Sequence, residues 1–334
     1  MSLSRRRWLS GLGAASLGVP FVFRDAAAAG STKLVYQTGW LPEADEAGMY
    51  QAVATGLYRS HGLDVELHAG GPDLNSIQLF LAGKAHFVTT DAYRVADIVQ
   101  RGLPGVAIAA FYQRSPHAIL SHPHVGNDTL AQLKGKPILI SEIDRESFWM
   151  WLKAKYGYTE DQARPYTFNM APFVVDKNLS MQGYVTNEPY QARRAGVDPV
   201  VNLLADNGFF EYHNVILAAP RMVTQQPDVI ARFVDATVKG WQSYLHGDPR
   251  PANTAIKRGN TEMTDDLIAF ARSAMKRYAL FDSADVAKHG LGAMSDAAWT
   301  NIYRSGVAAG ALPAGLDLRK GYSLAFVTGR GARA

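Results

Sequence analysis

Cysteine is missing from all 334 residues. That excludes disulfide scaffolds, thiolate metal sites and cysteine nucleophiles. No G-x-S-x-G, H-E-x-x-H or Walker sequence offers another familiar chemistry. There is no internal repeat, no low-complexity linker, and no apolar run of bilayer-spanning length after residue 29. Charge of one sign is scarce once the first 29 residues are set aside. They hold Arg5, Arg6, Arg7 and Arg24 against Asp25, which leaves 30 basic and 29 acidic residues in the remainder. The formal charge of +4 therefore owes most of its size to the N-terminus. It gives no reason to expect binding to nucleic acid or directly to a membrane.

What is present begins with SRRRWLSGLGAASLGVPFVFRDAAAAG, where arginines precede a modest apolar run and a string of small residues. This reads as an export signal with an A-x-A cleavage site over residues 1–29, and the arginines before a weakly apolar stretch resemble the twin-arginine type. From Lys33 onward the pattern alternates strand and helix. KLVYQTG, LDVELHA, HFVTT and GVAIAAFYQ read as strands separated by helical segments, which predicts parallel β-α-β units. The pattern starts afresh near residue 118, and from about residue 226 to 310 it is mostly helical. The expected fold is α/β in two lobes: 30–118 as lobe 1, 119–214 as lobe 2, and 215–334 as a return to lobe 1 with a helical C-terminal part. Two such lobes joined by crossing strands would enclose a hinged ligand cleft.

The loop after the first strand carries Trp40 and the acids Glu43, Asp45 and Glu46. Loops on a rigid scaffold are favoured places for binding groups. The plainer reading makes Trp40 a core residue and the acids solvated charges that start a helix. GGPDLN (70–75) offers free amides at a helix start, which suit an anion, or simply a tight turn with Asp73 as N-cap and Asn75 pointing either way. Asp91, after Thr89 and Thr90, reads first as an N-cap. His122 and His124 in SHPH have a metal-like spacing but no carboxylate close by. At most one of Trp149 and Trp151 faces a cleft, and Phe111, Tyr112 and Arg114 are further candidates before the crossover.

Several segments together resemble a known family. W-x-P followed by G-x-Y-x-A-x-x-x-G-x-Y (Trp40 to Tyr58), GLDVEL, GGPDLN, LAGKAHF, LKGKPI and GYVTNEP are similar in order and spacing to the NMT1/THI5-like periplasmic substrate-binding proteins of ABC importers. The resemblance spans roughly residues 33–220. It implies a type II periplasmic-binding fold, a location in the periplasm, an ABC permease with its ATPase as partners, no cofactor and no turnover. It implies a stacking role for Trp40, cleft-lining roles for Thr90 and Asp91, and, in GYVTNEPY, a stacking Tyr184 and a Glu188 that accepts from a ring amino group. Pyrimidine-binding relatives tend to carry Asn or His where this chain has its three acids, a departure that disfavours nitrate, bicarbonate or a sulfonate and suits a donor-rich ligand.

The leading expectation is therefore a binding protein for a thiamine-precursor aminopyrimidine or a related flat nitrogen heterocycle. Riboflavin-like rings, a sulfonate such as taurine, or nitrate are alternatives. A thiamine-pyrimidine synthase is disfavoured because that enzyme needs a cysteine-rich segment and iron. A ligand-sensing module for a receptor is the remaining reading.

Overall fold

The computed structural model describes residues 31–72 and 74–328. The export signal expected at 1–29 lies outside these residues, as does Asp73. Within them the chain forms ten strands: β1 (Thr32–Gln37), β2 (Leu63–His68), β3 (Phe87–Thr90), β4 (Val106–Tyr112), β5 (His117–Ser121), β6 (Ile138–Ile140), β7 (Ala163–Pro165), β8 (Ser180–Tyr184), β9 (Val200–Leu203) and β10 (His213–Ala218). They make two five-stranded sheets of order β2-β1-β3-β10-β4 and β7-β6-β8-β5-β9.

In the first sheet β1 runs parallel to β2 and β3, while β10 inserts antiparallel between β3 and β4. In the second, β6 runs parallel to β7 and β8, while β5 is antiparallel to β8 and β9. Each antiparallel strand is the one laid down as the chain crosses from one sheet to the other, β5 outward and β10 on return. This has a direct consequence for function. The beginnings of β5 and β10 lie at the same sheet edges as the carboxyl ends of β1, β3, β6 and β8. Ligands of open α/β sheets bind at those carboxyl ends.

Two local breaks shape the second sheet's rim. A 3-10 turn, Ile143–Glu146, precedes the helix Phe148–Tyr156, with Ser147 at φ −115°, ψ −105° between them. β8 stops at Tyr184. The chain then turns so that Glu188 opens the helix Glu188–Arg194, with Pro189 in its first turn.

The acid-bearing loop after β1 leads into a 3-10 turn, Ala44–Glu46, and the helix Ala47–Ala54. That helix is held by the long C-terminal helix Pro227–His246. Two glycines allow the close approach: a Cβ on Gly48 would fall 2.3 Å from the Trp241 ring, and one on Gly240 would fall 2.2 Å from the Gly48 carbonyl oxygen. Gln51, buried at the same contact, donates to Ser243 Oγ (3.0 Å) and the Asp248 carbonyl (2.8 Å) and accepts from the Ala252 N–H (2.9 Å). Further along the long helix, Phe233 stacks between Phe87 of β3 (3.9 Å) and Tyr58 (5.3 Å). The returning C-terminal part thus fixes the first sheet and the loop that carries the acids. Gly240→Ala should lower stability by about 1–3 kcal/mol through overpacking, read as a lower urea midpoint. Unchanged or higher stability would mean that the two helices do not need this approach.

Candidate functional site

Trp40, Glu43, Asp45, Glu46, Asn75, Thr90, Asp91, Tyr184 and Glu188 all line one cavity of about 640 Å³. This volume suits a drug-sized ligand. The cavity lies between the two sheets, at the edges where the loops converge.

The three acids after β1 are not solvated. Glu43 is 7% exposed, Asp45 4% and Glu46 3%, so the reading of them as surface charges at a helix start fails. Each has a different environment. Asp45 Oδ1 accepts from the Tyr112 hydroxyl of β4 (2.8 Å) and from Thr186 Oγ1 just past β8 (2.9 Å). Its backbone carbonyl accepts from the Asn214 side chain at the start of β10. Asp45 thus joins the loop after β1 to both sheets. Glu46 Oε1 accepts the Gly39 N–H at 2.8 Å, while its Oε2 is buried with no hydrogen-bond partner. The hydroxyls of Thr38 and Thr89 ease its charge, but neither meets Oε2 with hydrogen-bond geometry. The Asn187 side chain eases the charge of Glu43.

Burial governs the protonation of this cluster. It pushes Glu46 up to about 7 against the Gly39 hydrogen bond. It raises Glu43 well above the usual carboxylate range, helped by the charges of Asp45, Glu188 and Glu46. It also raises Asp45 despite the hydroxyls of Tyr112 and Thr186. Across the cavity Glu188 is pushed up to about 7 by burial, although its Oε2 accepts the Tyr184 N–H at 2.7 Å. At neutral pH the cluster therefore shares protons and can both accept and donate.

The aromatic wall spans the two sheets. Trp40 lies against Phe168, with ring centroids 4.6 Å apart and planes tilted by 53°. Phe168 follows β7, is 43% exposed and has φ +60°, unusual for a bulky side chain. Tyr184 does not lie flat against its neighbours. It meets the rings of His117 (4.8 Å) and His213 (5.3 Å) edge-on, and its hydroxyl lies 3.0 Å from His213 Nε2.

Glycines set this geometry in two places. A Cβ on Gly183 would fall 2.7 Å from Glu188 Cβ, so only glycine lets Glu188 fold back onto β8. A Cβ on Gly70 would fall 2.7 Å from the Thr38 carbonyl oxygen. The Gly70 N–H is spent on the Trp40 carbonyl (2.9 Å) and Thr38 Oγ1 (3.0 Å). Gly70 is therefore a point of close backbone approach, and the N-cap of the following helix is Asn75, which accepts from the Gln78 N–H (3.0 Å). Asp91 does cap its helix, accepting the Arg94 N–H at 2.8 Å, while it also lines the cavity.

A second polar cluster sits where the chain crosses between sheets. His117, the first residue of β5, faces Asp144 (Nε2 to Oδ1, 3.4 Å) and Glu211 (Nδ1 to Oε2, 3.3 Å). Burial opposes its charge, but the two carboxylates overcome it and hold the imidazole up at about 10. Burial likewise acts to raise Asp144, but its bonds to His117, Ser141 and Gln182 prevail and hold it low. Its Oδ2 takes the hydroxyl of Ser141 (2.6 Å) and the amide of Gln182 (2.6 Å). None of His117, Asp144, Glu211 or Phe168 figured in the sequence reading. The one available signal was position: each lies beside a crossover or follows a strand.

The weaker candidates fall elsewhere. Phe111 and Tyr112 are fully buried and outside the cavity lining. Arg114 pairs with Asp206 and donates to the Tyr278 carbonyl. Trp149 and Trp151 are both core residues. His122 Nε2 donates to the Phe173 carbonyl at 2.7 Å.

Two sheets, two crossovers and a polar cavity between them are the architecture of a solute-binding protein of ABC-type import. The sequence matches the NMT1/THI5 like family over residues 43–252, and the chain belongs to that family. It is similar to the riboflavin-binding protein RibY of Chloroflexus aurantiacus, 26% identical over 297 residues, covering 87% of this chain and 84% of RibY. Among solved structures it resembles the periplasmic aliphatic sulphonate binding protein SsuA of Escherichia coli, at TM-score 0.65 and 12% identity, covering 86% of this chain and 91% of SsuA. The desulfurization enzyme DszB shares the fold too, at TM-score 0.57 and 12% identity, covering 90% of this chain and 99% of DszB. The fold alone therefore does not decide between binding and catalysis.

Two predictions follow from the acid cluster. Glu46 and Glu188 have folded-state values near 7, above the ~4.3 of a free glutamate. Between these values the folded chain holds more protons than the unfolded one, so its stability falls as pH rises. The ligand-free protein should lose melting temperature from about pH 4.5 to 7, and the double variant Glu46→Gln, Glu188→Gln should show a flatter slope. An equal slope in the variant would mean these two groups titrate normally. Gly183→Ala should displace Glu188 and weaken ligand binding by about tenfold or more, roughly the loss of one charge-assisted hydrogen bond. Unchanged affinity would mean Glu188 makes no contribution to binding.

Proposed function

We propose that the chain is the periplasmic solute-binding subunit of an ABC importer and that it captures a flat nitrogen heterocycle bearing ring N–H and carbonyl groups, of riboflavin-like size. The observation that carries this reading is one cavity that brings the Trp40 face together with the carboxyl groups of Glu43, Glu46 and Glu188, all raised by burial. Carboxyl groups that share protons can accept from and donate to one ligand edge. Trp40 provides a large apolar face beside them for a planar ring.

The proton-sharing cluster fits such an edge. Glu46 accepts from a ring N–H, while a protonated neighbour, Glu43 or Glu188, donates to a ring carbonyl. Tyr184 meets the ring with its edge or hydroxyl. Asn75, Thr90 and Asp91 border the far side, and Asp45 holds the loop. The aminopyrimidine class shares the donor edge. The volume of about 640 Å³ and the similarity to RibY favour the larger ring. A sulfonate or nitrate beside Trp40 would meet four carboxyl groups, which disfavours both. In this reading the protein is exported, by the twin-arginine route, hands its ligand to a permease driven by an ATPase, and carries out no turnover.

A thermal-shift panel confirmed by calorimetry tests this, using riboflavin, hydroxymethyl-aminopyrimidine, thiamine, taurine and nitrate. Ligand at 100 times its dissociation constant stabilises by about 2.7 kcal/mol. The expected result is a shift with riboflavin that is lost in Glu46→Gln and in Trp40→Ala. A shift with taurine or nitrate alone would overturn the reading.

A further inference from the structure

The hydroxyl of Tyr184 is set among acids. Four carboxyl groups act on its charge: Asp45 and Glu43 from the loop after β1, Asp144 from the rim beyond β6, and Glu211 from the segment before β10. Asp45, Glu43 and Asp144 line the ligand cavity, as do Tyr184 and its partner His213. Among the described residues the hydroxyl makes one hydrogen bond, to His213 Nε2 at 3.0 Å. Which of the two donates in that bond decides what Tyr184 can offer. If the phenol donates, it has only lone pairs left for a ligand. If His213 donates, the phenolic proton is free.

The backbone beside His213 fixes the direction. Asn214 has φ +48°, in the left-handed region that asparagine tolerates better than most residues. Its N–H donates to His213 Nδ1 at 2.9 Å, and its side chain donates to the Asp45 carbonyl. An Nδ1 that accepts a backbone N–H holds no proton, so the neutral ring carries its proton on Nε2. Charging the ring would add a proton at Nδ1, where Asn214 Oδ1 lies 3.2 Å away to accept it, and would leave the Nε2–H in place. Only a neutral ring protonated on Nδ1 would reverse the bond to Tyr184, and it would set two N–H groups against each other. In both remaining states His213 donates and Tyr184 accepts. Burial and the neighbouring carboxylates raise the phenol well above its usual range, so it keeps its own proton.

We infer that Tyr184 is a fixed hydrogen-bond donor to a ring carbonyl of the ligand, and that His213 is the positioning residue that turns its proton toward the cavity. The inference rests on the reading of the cavity as the seat of a flat heterocycle. Acids alone would equally suit a cation that carries nothing but donors. A donor fixed among them favours a ligand whose edge sets a carbonyl beside its N–H groups, because a ligand without an acceptor leaves the phenolic proton unsatisfied.

Two measurements test this at different levels. In the ligand-free protein, heteronuclear NMR of the histidine rings, with His213 assigned by its loss in His213→Asn, should show its neutral form protonated at Nε2. A proton on Nδ1 would overturn the inference whatever the ligand. With riboflavin as the probe, Tyr184→Phe should weaken binding about three- to tenfold, the loss of one hydrogen bond. It should also raise a carbonyl stretching frequency of the bound ring in the infrared, because the lost bond had weakened the C=O. His213→Asn, with a side chain too short to reach the phenol, should weaken binding less and should cost nothing further in the Tyr184→Phe background. Unmoved carbonyl bands in Tyr184→Phe, with or without a loss of affinity, would overturn the inference and leave the ligand standing. Additive losses in the double variant would make His213 a packing residue and overturn its positioning role. No binding of riboflavin by the unaltered protein would overturn the proposed ring and the carbonyl assigned to Tyr184 together.

Discussion

Asp45 is the joint on which the cleft depends. One buried carboxylate oxygen takes hydroxyls from Tyr112 and from Thr186, which belong to different sheets. A surface ion pair would contribute little to such a linkage, being screened and mobile. Hydrogen bonds from neutral hydroxyls to a buried carboxylate are stronger and directional. They hold the loop after β1 against both halves of the molecule. From that fixed loop Glu46 is aimed inward, Trp40 reaches Phe168, and Glu43 faces Asn187 and Glu188. Of three neighbouring acids, one supports the architecture so that the others are available to the cavity.

Much of the framework was legible in the sequence. The alternation of strand and helix, the restart near residue 118 and the helical C-terminal third all come from periodicity, which local burial enforces. The loops that line the cavity were legible for the same reason, since they follow strands. The state of the acids was not. A run such as PEADEAG has the composition of a solvated helix start, and only contacts with distant segments, among them Tyr112, Thr186 and Asn214, bury it. The helix that follows is seated against the long C-terminal helix through Gly48 and Gly240, far apart in sequence, and no local pattern joins them. His117, Asp144 and Glu211 escaped notice because three separate crossover and strand-end segments bring them together. At GGPDLN the sequence left an anion cradle and a tight turn open, and Gly70 serves a close approach of two backbones.

The chain carries a fold found both in binding proteins and in an enzyme, so what it binds rests on side chains rather than topology. If the ligand is an uncharged ring, as proposed, a carboxyl cluster that shares protons can line its seat with less mutual repulsion than four full carboxylates would have.

The most direct test of this account is the number of protons exchanged on binding. Riboflavin would be titrated into the protein by calorimetry near pH 7, in buffers of different ionisation enthalpy. A ring N–H donated to Glu46 stabilises its carboxylate, so the account predicts a fractional release of protons that disappears in Glu46→Gln. Binding with no proton exchange, or with the same exchange in Glu46→Gln, would contradict it.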